Sequence, residues 1–520
     1  MKHAMERHKK LKKYVDNKDI SIIIGDACSE ANHSEEMISR IRHRLECLHL
    51  IRLFYFVYKE AVTMDFLNSR IKTIYFKYLA AAFGSALITS IYSIVDMAMV
   101  GQYHGPDGSA ALAVVNPVWN IIYSLGLLMG IGGSVLFSAM RGKSEGKEDR
   151  SNEYFTASVI GAVILAVIVW IVIGLFDRQL LIAFGAKENL LPLAREYVQP
   201  IKPAIPLFLF NQMLAAYLRN DKNPGLATAA VLSGGIFNIF GDYFFVFTCD
   251  MGAFGAGLAT AIGSGITFLV MLSHFFTKKN TLRLMRPRRL SVKLREISVT
   301  GFSTFFIDVA MGILTILFNR QIVKYLGTDA LAVYGVIVNI SSFVQCCAYS
   351  VGQAAQPIIS TNFGAGHGGR IREALKFALG TAAFFSIFWT ALSLAVPNVY
   401  VRVFMSPTEE ILRIAPGIIR CYAVSFLLLP LNIFSTYYFQ AMLKPKAAFI
   451  VSVGRGFVIS GIFIYFLPVI AGADSIWFAM VFTEVIVAVY VVNRMLKYTG
   501  KSEDTDCTKK NTIFIKNYLK

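Results

Sequence analysis

Charge is scarce in this chain. Only 16% of its 520 residues are Asp, Glu, Lys or Arg, and a soluble protein of that length needs a more charged surface. Short alternating apolar–polar segments are missing too, which argues against a β-barrel. The seven cysteines (Cys28, Cys47, Cys249, Cys346, Cys347, Cys421 and Cys507) form no CxxC pair and meet no histidine at ligand spacing. Neither a disulfide framework nor a zinc site is expected, and buried cysteines then serve as small apolar residues. There is no Walker A sequence, no GxSxG and no HExxH, so direct ATP drive and those hydrolytic chemistries are not expected. The glycine-rich "NFGAGHGG" follows an apolar run and lacks the Lys-Ser/Thr that closes a phosphate cradle.

What is present is hydrophobic. Apolar residues make up 55% of the chain, with 41 Phe and 39 Gly, and the mean hydropathy is +0.55. Repeated apolar windows of about 20 residues suit roughly 30 Å of hydrocarbon. They predict an all-α polytopic membrane protein with twelve spans, near 74–100, 111–140, 154–176, 196–218, 226–249, 254–277, 297–325, 331–360, 373–396, 414–441, 447–470 and 475–497. Pro117, Pro203, Pro206, Pro357 and Pro430 fall inside them as candidate kinks.

The formal charge of +18 reports loops rather than nucleic-acid binding, because Lys and Arg sit between the apolar runs. One side of the spans carries Arg141, Lys143, Lys147, Arg150, Arg219, Lys222, eight basic residues from Lys278 to Arg295, Arg370, Arg372, Lys444 and Lys446. The other carries only Arg178, Lys187, Arg195, Lys324, Arg402 and Arg413. The basic side is expected to be cytoplasmic, with both termini there and the chain in the cell membrane.

Residues 1–63 do not match the rest. They are basic and polar, and no apolar core with a cleavage site follows the start. Two readings stay open: an amphipathic surface helix, or sequence upstream of a natural start at Met64. The expected plan is an extension over 1–63, a six-helix half over 64–277, a basic linker over 278–296 read as a solvated loop, a second half over 297–497 and a tail over 498–520. The halves repeat. "GSAALAVVN" answers "TDALAVYGVIVN", "RNDKNPGLATAA" answers "AMLKPKAAFIVS", and "RGKSEGK" answers "NFGAGHGGR", about 219–222 residues apart. Both halves start on the same side, so the repeat is parallel, with a pseudo-two-fold along the membrane normal.

Acids inside a membrane are costly and are functional candidates by default. Asp96 is the sole acid of the first span, with Tyr92 one turn before it. Asp242 lies in the fifth span with Asn238 one turn before it. By depth, Thr260 of the sixth span joins them near the non-basic side. Oxygens from several helices suit a hard monovalent cation, or a proton shared by two carboxylates. Shifted by the repeat, Asp96 lands near Ile316–Phe318, Asp242 near Phe463 and Asn238 near Ile459, so the second half lacks the set. In that half Asp308, Gln353 and Gln356 are candidate cavity contacts, as is Met129 in the first half, with Met213 and Met442 as further adaptable lining. Arg320 follows Asp308 in the same span. Arg455 and Glu484 read as structural, Arg455 snorkelling or bonding carbonyls.

"YSIVDMAMVGQYHGPDGSAALAVVNP", "GQAAQPIISTNFGAG", "YFQAMLKPKAA" and "RGF" together resemble the multidrug and toxic compound extrusion (MATE) family over residues 66–497. The resemblance is nearest to its prokaryotic branch of MepA-like and DinF-like exporters. It implies an antiporter driven by Na+ or H+ that exports organic, lipophilic cationic compounds, with no cofactor beyond the coupling ion. It also implies a cation site at Tyr92, Asp96, Asn238, Asp242 and Thr260. In a sodium-coupled form the ligands would be Asp96, Asn238, Asp242 and Thr260. A fourth-span amide, Asn211 or Gln212, completes the implied pattern. Expected partners are small organic substrates and the bilayer. A complete cavity within one chain predicts a functional monomer, and no enzymatic activity is expected. The alternative is a lipid-linked oligosaccharide flippase of the wider superfamily, which needs a cationic central cavity.

Overall fold

The computed structural model describes residues 65–144, 149–186, 188, 190–405 and 407–500. The extension over 1–63, the Met64 start and the tail from 501 onward lie outside the described residues. Among those described, eleven helices are long and apolar enough to cross a bilayer. In chain order they are Ile71–His104 (span one), Asp107–Lys143 (two), Asn152–Ala183 (three), Pro224–Thr248 (five), Gly252–Phe276 (six), Leu290–Tyr325 (seven), Gly327–Ala365 (eight), Gly368–Ala395 (nine), Glu409–Ala441 (ten), Pro445–Ile470 (eleven) and Ala473–Thr499 (twelve). Span four is a pair, Leu191–Val198 and Lys202–Asn220, bent by 45°. Pro200, Pro203 and Pro206 cluster at that break, and each removes a backbone donor. Helix closure satisfies the backbone within each segment, as hydrocarbon demands. Span three shows the lipid-facing consequence: Val163, Val167, Ile168, Trp170 and Ile171 are all exposed.

The halves are interleaved. Span seven packs along span two, and span eight packs along both span one and span two. Glycines make these crossings close. A Cβ on Gly132 would strike the Ile297 carbonyl, and one on Gly301 would strike that of Leu128. At the basic ends of spans two and eight, a Cβ on Gly142 would strike the Thr361 carbonyl and one on Gly364 would strike that of Ala139. These two contacts are images of each other: 364 minus 142 and 361 minus 139 both give 222. The pseudo-two-fold axis therefore passes between the two glycines.

The 278–296 stretch is not the simple solvated loop expected. Span seven already begins at Leu290, and the chain before it is docked. Arg283 N donates to Asn152 Oδ1 at 3.0 Å, Met285 N to Thr156 Oγ1 at 2.9 Å and Arg288 N to Glu153 Oε2 at 3.1 Å. Extended backbone has free donors, and the first turns of span three supply acceptors. Thr281 bonds the buried Asp221, which also meets His274 Nε2 at 2.8 Å and Arg141 Nη1 at 3.0 Å. Burial alone would raise the Asp221 carboxyl, but His274, Thr281 and Arg141 together hold it below the usual carboxylate range.

Asp221→Asn is expected to cost about 3 kcal/mol at neutral pH, because it removes the charge facing Arg141 and turns one of the two acceptor oxygens into an NH2 that faces other donors. The sign follows from the depressed pKa: the stabilisation is complete above the unfolded carboxylate value and is lost as pH falls through the folded one. Thermal melts of purified protein from pH 7 into acid should show the wild-type advantage shrinking below about pH 4. An equal advantage at every pH would contradict this account.

The second half holds its own buried charge pair. Arg455 Nε meets Glu484 Oε1 at 2.6 Å, and Asn432 Nδ2 donates to Glu484 Oε2 at 2.6 Å. Arg455 thus does not snorkel to the surface. Its partner lies at the same depth in span twelve, which is the cheaper solution for a buried guanidinium. Arg370 fastens the halves elsewhere, donating to the Phe66 and Ser69 carbonyls ahead of span one at 2.8 and 2.7 Å.

Candidate functional site

Span five and span six cross at Gly234 and Gly263, where a Cβ on either would strike the other's carbonyl oxygen. Small residues let the backbones approach. One turn along, Asn238 Nδ2 reaches Thr260 Oγ1 at 3.0 Å and Asp242 Oδ1 at 3.3 Å. Beyond Asp242 the helix continues as a π-helical turn, Phe244–Thr248. Asp96 of span one lies close enough to Asp242 for the two carboxylates to interact electrostatically. The end of span one is held against the loop before span six. Tyr103 donates to Asp250, and His104 Nε2 accepts from Ala253 N at 3.1 Å.

The sequence missed Tyr197. Its hydroxyl donates to Asp96 Oδ2 at 2.5 Å and also bonds Thr260, so it joins span one to span six. It sits in the short helix before the bend of span four, among Arg195, Glu196 and Pro200. Tyr197 falls at the very start of the expected fourth span, next to these charges, and in the structure it lies on the arm of span four before the 45° bend. Tyr92 is not the hydroxyl that meets Asp96. Its ring lies against Gly235, and it lines a central cavity.

Three buried oxygens of this cluster have no hydrogen-bond partner: Asp96 Oδ1, Asn238 Oδ1 and Asp242 Oδ2. Unpartnered buried acceptors are rare and call for an explanation. Acceptors alone, with two carboxylates and no thiol or imidazole, fit a hard monovalent cation or a proton. Among the described residues no group of three His, Cys, Asp or Glu could hold a metal ion, so a multivalent-metal site is not what this cluster resembles.

The cavity beside the cluster measures about 240 Å³. Tyr92, Asn238 and Thr260 reach its wall, as do Gln212 and Arg219 of span four and Gln353 of span eight. Several expectations need correction. Met129 is core: it is buried, and its sulfur lies against Gly161 of span three. Gln356 is buried one turn below Gln353, outside the cavity wall. Asp308 stands one layer back. Its Oδ1 accepts from Tyr349, a wall residue, at 3.3 Å, while its Oδ2 is unpartnered.

Asn211 is on the wall, but its Nδ2 is committed to the Ser264 carbonyl and hydroxyl, both at 3.0 Å. Its counterpart Asn432 makes the matching bond to the Glu484 carbonyl at 2.9 Å. A bond present in both halves is architectural, which separates Asn211 from Gln212.

Arg219 is the largest departure. Counted above among loop charges, it is only 8% exposed and lines the cavity. Phe208, Gln212, Ala215 and Arg219 follow one another at helical spacing along the same wall. That stripe, read down the helix face, was the available signal.

Two pseudo-symmetric six-helix halves around one cavity, with the paired carboxylates Asp96 and Asp242 in the first half only, define a membrane transporter fold. The MatE family model matches residues 81–244 and 304–466, and the chain belongs to that family. The multidrug export protein MepA of Staphylococcus saprophyticus is 23% identical over 405 residues, which span 78% of this chain and 88% of that protein. MepA of Staphylococcus aureus strain MSSA476 is 22% identical over 402 residues, 76% of this chain and 87% of that one. Among solved structures, an outward-facing multidrug resistance MATE family transporter superposes with a TM-score of 0.78 at 21% identity, covering 85% of this chain and 99% of its own. A superfamily transporter from Pyrococcus furiosus, described as having a binding pocket of reversed polarity, gives 0.78 at 20% identity, covering 85% and 98%.

Proposed function

We propose that this chain is an antiporter that exports organic compounds, lipophilic cations among them, in exchange for Na+ or H+. The observation that carries the reading is the pair of buried carboxylates from spans one and five, each with an unpartnered oxygen, beside a cavity lined by aromatic and amide side chains. The basic side is cytoplasmic in this reading and both termini lie there; leaving Arg219 out of the tally does not change the asymmetry.

The ion reaches Asp96 and Asp242 from the opposite, outer side. Its binding draws span one, the Tyr197 hydroxyl and the Asn238–Thr260 pair together, and this narrows the cavity. A cationic substrate then loses the field of the free carboxylates and leaves outward. Coupling requires the ion to bind the two conformers with different affinity, and a shared pair of carboxylates provides that difference when the gap between them changes. Cation–π contacts with Tyr92 and Tyr123 favour lipophilic cations in the loaded state.

The test is dye efflux from cells with and without the protein, collapsing the sodium and proton gradients separately. Export should stop with one of the two gradients and persist with the other collapsed. Efflux indifferent to both would end the antiport reading.

A further inference from the structure

Arg219 stands out once the cavity is drawn. It is more than nine-tenths buried and sits on the wall near the basic end of span four. Among the described residues no carboxylate pairs with its guanidinium, and no side chain or carbonyl accepts a hydrogen bond from it. The other deeply buried guanidinium, Arg455, is paired with Glu484 at 2.6 Å. The repeat adds a second observation. The equivalent of Arg219 in the other half falls at Gln440 or Ala441. Gln440 is fully committed, donating to the Thr300 carbonyl and exchanging bonds with Thr304 at 2.8–3.0 Å. Architecture at this level is thus satisfied by a neutral side chain, and the charge of Arg219 serves something else.

None of the Arg219 guanidinium nitrogens is among the sealed, unpartnered polar atoms of the core, so its donors open onto the cavity and are available to whatever fills it. The five N–H groups of a guanidinium form a fork that suits a carboxylate or phosphate oxygen pair. The electrostatic neighbours of Arg219 are the hydroxyls of Tyr123 and Tyr437, both of which also lie near Asp308. Tyr123 and Gln212 stand on the same wall and can donate further hydrogen bonds.

We infer that Arg219 is an anion-recognition site inside the transport cavity, and that the cavity takes amphoteric organic substrates whose carboxylate seats on this guanidinium while their cationic end faces the acids. This rests on the export reading above and deepens it. A molecule with only a positive charge leaves Arg219 unsatisfied, whereas one with both charges satisfies the two ends of the cavity.

A pair of dyes isolates the carboxylate: rhodamine B, and its methyl ester, which keeps the fluorophore and the positive charge. Binding to purified full-length protein is followed by fluorescence polarisation. Wild type should bind the acid roughly tenfold to a hundredfold more tightly than the ester, as one charge-assisted hydrogen-bonded pair allows. In Arg219→Gln that ratio should fall to about one, and in Arg219→Lys it should be intermediate, since an ammonium is a point charge without the fork. Three outcomes overturn the inference: no preference in wild type, equal weakening of both dyes by Arg219→Gln, or displacement of the acid by an equal concentration of phosphatidylglycerol, which would assign the site to a lipid headgroup. If the glutamine variant fails to elute as a single folded species, the wild-type and lysine ratios still decide. Gradient-driven export of the ester alone tests the antiport reading separately, so either can fail without the other.

Discussion

Asp96→Asn and Asp242→Asn each reduce gradient-driven efflux of a cationic dye to the level of cells lacking the protein, while the variant chain still accumulates folded in the membrane. The physical reason lies in the unpartnered oxygens. An amide can neither give up a proton nor offer a full negative charge. At an effective dielectric near 20, one unit charge about 4 Å from a bound cation contributes about 4 kcal/mol, a roughly thousandfold loss of ion affinity when it is removed. Folding should survive, because neither carboxylate is locked in an ion pair and Asn can still accept from Tyr197 or Asn238. Tyr197→Phe belongs with them as a milder variant: it removes the donor to Asp96 but leaves the charge, so export should fall severalfold and the pH or sodium dependence should shift. Full efflux in both Asn variants would sink the assignment of the site. Loss of both from the membrane would make the acids architectural instead.

Gly142→Leu and Gly364→Leu should block export as completely by a different route. Each added side chain would drive into a backbone carbonyl of the facing helix, and backbone cannot swing aside as a long side chain can. Spans two and eight must then separate at their basic ends, at a cost of about 1–3 kcal/mol. A bias of that size shifts a two-state population roughly tenfold to a hundredfold. In the proposed cycle these ends must close to face outward and part to face inward, so a wedge holds one state. Spin labels on Lys143→Cys and Glu373→Cys, both exposed positions, would report it in a background without other cysteines. The expected result is a longer distance in the leucine variants, with export lost. An unchanged distance together with normal export would exclude the wedge account.

Much of the architecture was legible because hydrocarbon leaves few choices. A run of apolar residues must be a helix, so twelve spans and their rough limits followed from hydropathy alone. Asp96, Asp242, Asn238 and Thr260 were legible for the same reason: polar groups in lipid stand out, and helical spacing put them in pairs. What escaped were residues at the edges of the spans. Tyr197 sits between charges and prolines at the start of the expected fourth span. Arg219 ends its helix beside Asn220, Asp221 and Lys222, so its charge read as solvent-facing. Met129 and Gln356 erred the other way. A helix has two apolar faces in a bundle, one toward the cavity and one toward its neighbours, and composition cannot tell them apart. The docked linker was hidden because its contacts run through backbone donors, which every sequence has.

The paired contacts of Gly142 with Thr361 and of Gly364 with Ala139 have a consequence for how symmetry is spent along the chain. Contact between equivalent residues across a two-fold is isologous: each side meets what the other meets. Substituents placed at these two positions should therefore be interchangeable in kind and degree. The backbone equivalence persists elsewhere, as at Asn211 and Asn432, but the side chains diverge at the acids. The mate of Asp96 falls at Phe318, stacked on Tyr334 with centroids 4.9 Å apart, and that of Asp242 at Phe463, whose ring lies 5.5 Å from that of Phe482. One half is thus filled with ring and hydrocarbon where the other keeps charge. In the proposed cycle such a chain would move as a symmetric pair while only one half carries the ion-binding acids.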